Sequence, residues 1–505
     1  MNGQDKSIDT GRLVIVSNRL PIVISREQEK LNISPGSGGL ITALAPILKN
    51  RGGVWIGWPG PIGEGERDEI VAILEKKCCH AGFFLHPIFL SEEEIKLYYD
   101  GFANEVIWPL FHDLQSECHF NPTYWSSVQE VSRKFAQGIY DEVRPQDFLW
   151  VHDYHLMLVG QELRKLQLPN KIPDKIGFFL HIPFPSLDIF LKLPWRFQIL
   201  RALLEYDLLG FQTLRDQRNF IQCVKRLLPE VKMSNKRQFH ICQQKNREVR
   251  VGAFPISIDF QKFSTMAAKK EVINQAWFNQ ERLRGQKIVF SCDRLDISKG
   301  ITYRLEAIRH LLKNHAEIHE TVTFFQVIIP SRTEVPKYQE LKREIDRLVG
   351  EINSQFTKTG WVPIQYLYHS ISHKELLAFY RISDIALITP VKDGMNLVAK
   401  EYIASNVNEN GALILSEFAG AATQLQHEAF LINPYDIEGL AETIYTTLMF
   451  PAEECKMRMR KMRQHVRRND VFRWVQSFLN AAIARELHDF PVIEEYTPTE
   501  VNNSL

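Results

Sequence analysis

Short, uninterrupted apolar runs separated by longer amphipathic stretches constrain this chain most. Residues 13–16, 148–151, 176–180 and 208–211 hold only apolar residues and glycine. A strand without alternating polar positions is buried on both faces, as in a parallel sheet covered by helices. A second series of strand-like runs follows at 288–290, 324–329, 364–367, 385–388, 413–415 and 430–432. Helical periodicity lies between them: within 304–312, Leu305, Ile308, Leu311 and Leu312 fall on one face. Two successive β/α series predict two doubly wound, Rossmann-like α/β domains. The length of 505 residues suits two large domains. The break is expected within residues 254–263, giving domains 1–255 and 256–470, with no Gly/Ser linker, low-complexity segment or short repeat. Ligands of such sheets sit at the carboxyl ends of strands, so a cleft between the two domains is the expected site.

Charge excludes several functions. Lys and Arg total 61, Asp and Glu 60, and the net charge is +1. No global field draws such a chain to nucleic acid or an anionic membrane. The first 11 residues are polar and lack the apolar core of a signal peptide. No run approaches the roughly 20 apolar residues that span a bilayer. The cysteines are Cys78, Cys79, Cys118, Cys223, Cys242, Cys292 and Cys455, without a CxxC pair or metal-ligand spacing, and read as reduced thiols of a cytoplasmic protein. The basic stretch 456–468 carries a narrow apolar stripe, Met459, Met462 and Val466, and reads as a solvated surface helix. Residues 489–505 read as a frayed tail.

Six polar, charged or Gly-rich segments each follow a buried run. SNRLP (17–21) places Arg19 at a strand end, where its fork of donors suits a phosphate, or where it is a solvated turn residue. GSGGLITAL (36–44) opens a helix at glycines, whose N–H groups approach an anion closely, although many helices begin at such turns. FLWVHDYHL (148–156) runs a strand into His152, Asp153, Tyr154 and His155. A carboxylate there can hold sugar hydroxyls. The two histidines lack a third ligand nearby and argue against a metal site. IGFFLHIPFP (176–185) ends a strand in His181, and its two prolines force an extended exit.

CDRLDISKG (292–300) puts Arg294 and Lys299 five residues apart after the first strand of the second series. Two fixed cations stabilise the charge growing on a departing diphosphate more than the ground state, and need no metal. The alternative is a supporting pair of Arg294 with Asp293 or Asp296. DGMNLVAKE (393–401) turns helical, so N–H groups from Gly394 onward would face an anion, with Glu401 two helical turns after Asp393. Alone it reads as an ordinary helix start with the acidic residue as N-cap. The chain has no Gly-x-Ser-x-Gly elbow, no cysteine nucleophile and no GxGxxG with a ribose acid.

Together with WIGWPG (55–60), YDGFANEVIWPLFH (99–112), PSR (330–332) and LSEFAGAA (415–422), these segments resemble the trehalose-6-phosphate synthase family, in order, from about residue 12 to about 478. The resemblance implies a GT-B fold. The first domain would hold glucose-6-phosphate and the second the nucleotide sugar, with a final helix near 471–488 packing back on the first domain. Arg19, Tyr99, Trp108 and Arg332 would surround the acceptor, and Asp153 would bind its hydroxyls. Gly39 would offer its N–H to the donor phosphate, and His181 and Asp393 would hold the donor glucose. Arg294 and Lys299 would grip the diphosphate, and Glu401 the ribose. The backbone of Gly394, Met395, Asn396, Leu397 and Val398 would complete the donor side. Asp153, His181, Arg294, Lys299 and Asp393 would form the catalytic set.

The implied reaction is a retaining transfer from UDP-glucose or another nucleoside-diphosphate glucose. The acceptor hydroxyl attacks the face that the diphosphate leaves, and the leaving phosphate takes its proton. No metal or other cofactor is expected, and no nucleic acid or membrane partner; a homo-oligomer is compatible. Three positions depart from the family pattern: Gln212 for histidine, Ser257 for glycine and Ile297 for an aromatic. Some relatives continue into a phosphatase domain, so the product is expected to leave phosphorylated. A glucosylglycerol-phosphate synthase and a silent sugar-phosphate-binding subunit are the alternatives.

Overall fold

A computed structural model describes residues 11–498 except 28–29, 37–38, 167–172, 174, 245, 284, 333–334, 485 and 488–489. Positions 1–10, Ser37 and Gly38 of the glycine-rich segment, and 499–505 of the expected tail therefore lie outside the described residues, as do the side chains of Cys78 and Cys79.

The strands in chain order are β1 (Leu13–Arg19), β2 (Ile22–Glu27), β3 (Lys30–Pro35), β4 (Gly53–Trp58), β5 (Phe84–Pro87), β6 (Phe148–His152), β7 (Lys175–Phe179), β8 (Leu208–Phe211), β9 (Lys232–Lys236), β10 (Phe239–Gln244) and β11 (Arg247–Ala253). They continue as β12 (Lys287–Arg294), β13 (Val322–Ile329), β14 (Ile364–Leu367), β15 (Ile385–Ile388), β16 (Ala412–Ser416) and β17 (Phe430–Ile432). The chain forms two compact units, dividing at Pro255 and Ile256, with residues 474–493 in the first unit.

The first unit is built on a nine-stranded sheet of order β5-β4-β1-β6-β7-β8-β11-β10-β9. Its pairs are parallel through β11; β10 and β9 add an antiparallel edge. β2 and β3 form a separate antiparallel hairpin. β4 and β8 are buried at every position, as helices on both faces require. The helix Val471–Ile483 packs on this sheet through Phe478, whose ring stacks on Trp150 with centroids 4.3 Å apart. Gly177 and Gly210 make room for it: a Cβ at either would stand 2.7 Å from that ring. Arg250 Nη1 donates to the Ala481 and Ala484 carbonyls at the end of this helix, 2.7 Å each, where carbonyls lack helical partners.

The second unit holds a six-stranded parallel sheet of order β14-β13-β12-β15-β16-β17. β15 and β16 are buried throughout. The helix Ile301–Asn314 seats Leu305, Ile308, Leu311 and Leu312 in the core, the face its periodicity predicts. In the helix Ala452–Arg468, Met459, Met462 and Val466 are buried beneath a charged outer face. Arg304 is a buried exception. It bonds Asp293 Oδ2 at 2.8 Å, Gln326 Oε1 at 2.9 Å and Thr389 Oγ1 at 3.3 Å, so its charge is compensated.

Strand order reverses at β1/β6 in the first sheet and β12/β15 in the second. At such a reversal the connections leave in opposite directions and open a crevice at the carboxyl ends. Among the described residues, no helix is long and apolar enough to cross a membrane. Cys118, Cys223, Cys242, Cys292 and Cys455 are free thiols.

Candidate active site

In the first unit, β1 runs past the apolar 13–16 core and ends in Arg19 itself. Ser17 fixes that end: its Oγ donates to the Arg19 carbonyl and accepts from Trp55 Nε1, both at 2.7 Å. The Arg19 guanidinium lies over the Trp58 ring at the end of β4, with Cζ 4.4 Å from the centroid. This cation–π contact holds the fork while leaving it a cation.

An aromatic wall extends from this point. The Trp58 ring meets the edge of Tyr99 at 5.5 Å, and Tyr99 stacks on His155 at 5.8 Å and 12°. His155 lies 3.9 Å from Tyr154, which faces Trp108 at 5.9 Å. Tyr99 belongs to a π-helical segment, Ile95–Ile107, and the Trp108 N–H bonds to the Ala103 carbonyl, five residues back. A π turn widens the helix and re-aims its side chains, and such turns recur at functional sites. Arg19 and the Tyr99–Trp108 stretch, 80 residues on, are therefore joined by one run of ring contacts. A cation beside flat aromatic faces suits a phosphorylated sugar.

Asp153 follows β6 with φ of +75°, a backbone state that costs a non-glycine residue of order 1–3 kcal/mol. Its N–H bonds to the Phe179 carbonyl at 2.8 Å, and its Oδ1 accepts the His181 N–H at 3.2 Å. These bonds tie the ends of β6 and β7 together and place Asp153 beside His181. The His181 Nε2 lies 3.0 Å from Nδ1 of the buried His152, and Gln212 Nε2 lies 3.4 Å from His181 Nδ1. Burial pushes His181 down to about 3, and burial, with the repulsion a second cation beside His181 would meet, pushes His152 well below its ordinary range. Both rings are therefore neutral at physiological pH. His152 is thus a core histidine with an imidazole partner. Gly39 is the first residue of the helix Gly39–Arg51, where N–H groups lack helical partners.

In the second unit, β12 ends in the exposed Arg294. Neither Asp293 nor Asp296 pairs with it: Asp293 takes Arg304, and Asp296 takes Arg332 at 3.2 Å. The Lys299 Nζ lies 2.6 Å from Asp393 Oδ2. Burial and Arg294 pull the Lys299 pKa down, but Asp393 and Asp296 outweigh them, so it lies above its ordinary value. Lys299 is a cation with a second cation nearby, an arrangement that suits an anionic ligand.

The segment at 393–401 differs from its reading as an acid-capped helix. The cap of the helix Leu397–Ser405 is Asn396, with φ of +80°, whose side chain accepts the Ala399 N–H at 3.1 Å. Asp393 is instead held by Lys299, by Asn396 Nδ2 at 3.2 Å and by the Met395 N–H at 3.4 Å. That N–H thus turns toward Asp393, so Met395 departs from the expectation that N–H groups from Gly394 onward face an anion. The loop at 415–422 presses on this turn: Gly420 N–H bonds to the Asp393 carbonyl at 3.1 Å and Ala421 N–H to the Met395 carbonyl at 2.7 Å. Leu397 and Val398 form the first helical turn, and Glu401 follows on the same helix, with Tyr380 OH 3.3 Å from its Oε2. Burial raises the Glu401 carboxyl to about 7, partly offset by that hydroxyl.

Arg332 lies in the second unit, after β13, and its backbone is left-handed at φ of +51°. Asp296 and Tyr338 hold its guanidinium. Trp58 and Tyr338 carried no individual signal in the sequence, whereas His155 was read only as a possible metal ligand and Asn396 only for its backbone. Trp58 stood inside the WIGWPG segment, and Tyr338 on a helix with no motif. Among the described residues, no group of three or more His, Cys, Asp or Glu is arranged to hold a metal ion.

Residues 11–484 match the family model described as glycosyltransferase family 20. A bifunctional trehalose-6-phosphate synthase/phosphatase of Thermoproteus tenax is 41% identical over 94% of this chain, which spans 64% of that relative. A trehalose-6-phosphate synthase of Mycolicibacterium smegmatis is 38% identical over 100% of this chain and 99% of its own length. Among solved structures, a UDP-forming alpha,alpha-trehalose-phosphate synthase of Burkholderia xenovorans in complex with glucose-6-phosphate superposes with a TM-score of 0.82. It is 32% identical and covers 93% of this chain and 100% of that one. Two Rossmann-like units with strand-end sites and this likeness identify a GT-B fold. The chain belongs to glycosyltransferase family 20.

Proposed function

We infer that this chain is a retaining glucosyltransferase that moves glucose from UDP-glucose to glucose-6-phosphate, giving α,α-trehalose 6-phosphate. The observation that carries this reading is the cation pair Arg294 and Lys299 at the end of β12, with Lys299 aimed by Asp393. The choice of substrates follows the Burkholderia xenovorans relative, a UDP-forming synthase in complex with glucose-6-phosphate.

Each side chain then has a physical task. Arg19 and Arg332 take the acceptor phosphate, while Tyr99 and Trp108 pack on its sugar. Asp153 accepts acceptor hydroxyls. On the donor side, Glu401 takes the ribose, and the backbone N–H groups of Gly394, Asn396, Leu397 and Val398, with that of Gly39, support the phosphates, while the Met395 N–H stays on Asp393. Arg294 and Lys299 stabilise the charge that grows on the leaving UDP as the glycosidic bond breaks. Asp393 and His181 hold the donor glucose. Neutrality of His181 matters here, because a cation beside an oxocarbenium-like carbon would oppose the charge forming there. The acceptor hydroxyl attacks from the face of the departing phosphate, which takes its proton, so the protein supplies no nucleophile.

A product assay tests this by crossing UDP-, GDP- and ADP-glucose with glucose-6-phosphate and glycerol-3-phosphate. Trehalose 6-phosphate from UDP-glucose and glucose-6-phosphate is the expected product. Preference for glycerol-3-phosphate would make the chain a glucosylglycerol-phosphate synthase, and no product from any pair would refute the catalytic reading.

A further inference from the structure

Asp296 touches both ends of the chemistry and has no role in the reaction described above. It is buried at the carboxyl end of β12 and caps the short turn Ile297–Lys299: its Oδ1 accepts the Ser298 N–H at 3.0 Å, and its carbonyl accepts the Lys299 N–H at 3.1 Å. That turn delivers Lys299 to Asp393. The other oxygen, Oδ2, accepts from Arg332 Nη1 at 3.2 Å and from Tyr338 OH at 3.3 Å. Arg332 also donates to the Tyr338 oxygen, with its Cζ 5.3 Å from that ring. Tyr338 is buried on the long helix Pro336–Phe356 and is itself held in place.

We propose that Asp296 and Tyr338 are positioning residues that tie the acceptor-phosphate arginine, Arg332, to the turn that carries the diphosphate lysine, Lys299. This rests on the glucosyltransferase reading. A flexible arginine loses rotamer freedom when it binds a phosphate. Tyr338 and Asp296 hold Arg332 in one arrangement beforehand, so less freedom remains to be lost. The same carboxylate sets the Lys299 turn. The freedom that remains is shared through one carboxylate: an acceptor phosphate that removes the residual motion of Arg332 also removes that of Asp296, and with it that of the turn that meets the donor diphosphate. Positive coupling between the two substrates follows, and linkage makes it equal in both directions.

Isothermal titration of UDP, with and without saturating glucose-6-phosphate, tests this on the full chain. In the parent protein glucose-6-phosphate is expected to tighten UDP by at least about fivefold, the low end of allosteric coupling. Tyr338→Phe keeps the ring but removes the hydroxyl; it is expected to leave UDP alone within about twofold and to cut the enhancement below about twofold. Asp296→Asn should also abolish the enhancement, and Tyr338→Phe stands alone if that variant does not fold. The acceptor KM of Tyr338→Phe should rise more than its kcat falls. A merely structural role would lower the melting temperature or weaken both ligands alike, leaving the enhancement unchanged, and that result would overturn the proposal. So would a parent protein that binds both ligands without coupling, with the activity itself still standing. Failure to bind glucose-6-phosphate at all would instead remove the underlying reading, and the coupling with it.

Discussion

Lys299 Nζ and Asp393 Oδ2 stand 2.6 Å apart, although 94 residues separate them, because β12 and β15 are neighbours in one parallel sheet. A loop from each strand end meets at the point where strand order reverses. The carboxylate keeps the ammonium charged and aimed in a largely buried place, where burial by itself pulls the lysine pKa down.

Removal of that ammonium should therefore cost turnover more than fold. Lys299→Met is expected to lower kcat by about 10²-fold or more, the scale of one lost transition-state donor. Steady-state kinetics beside a circular-dichroism spectrum checks it; a folded variant with near-parental turnover would contradict the assigned role.

Because Arg294 and Lys299 supply the positive charge for the leaving diphosphate, turnover should persist in excess EDTA. A rate that disappears with chelator and returns with a divalent cation would show that the side chains are insufficient.

Glu401 should make donor binding depend on pH. Its carboxyl titrates at about 7 because burial disfavours the charge. Below that pH it is protonated and loses the charge-assisted bond to a ribose hydroxyl. The KM for UDP-glucose should rise as pH falls from about 8 to about 6, and Glu401→Gln should flatten the profile. The stability trend has the opposite sign. The folded carboxyl binds its proton more tightly than the ordinary 4.5, so its contribution is full below 4.5 and is lost as pH rises through about 7. Glu401→Gln should thus gain melting temperature relative to the parent as pH rises through that window. An unchanged difference across it would argue against the raised carboxyl.

Gly420 leaves no room for a side chain. A Cβ there would stand 1.9 Å from the Gly394 carbonyl oxygen, a backbone atom that moves only if the turn at 393–396 moves. Gly420→Ala should therefore weaken UDP binding and cost about 1–3 kcal/mol of stability, as overpacking does. Nucleotide titration with a thermal melt measures both; parental affinity would mean that the turn yields without harm.

Much of the architecture was legible because parallel strands buried on both faces leave a continuous apolar signature. Each apolar run, from residues 13–16 to 430–432, falls on a strand, and only the run at 176–180 outlasts its strand, by Leu180. β9 and β10 at the antiparallel edge were not legible: β9 is mostly exposed and lacks that signature. β4 was hidden by its glycines and tryptophans, which read as a motif. The π geometry at residues 95–107 escaped because periodicity arguments assume the α-helical repeat.

The site divides in the same way. Sequence alone determined which loops follow buried strands, and so which polar and charged residues stand at the carboxyl ends: Arg19, Asp153, His181, Arg294, Lys299 and Asp393. That much follows from chain order and from burial, which are local properties. Which acid serves which base was decided only by tertiary structure. Asp393 and not Asp296 holds Lys299, Asp293 holds Arg304, and Asn396 displaces Asp393 as the helix cap. Ion pairs and caps depend on distances of a few ångströms between segments remote in the chain, and strand order in the sheet, which no local pattern encodes, sets those distances.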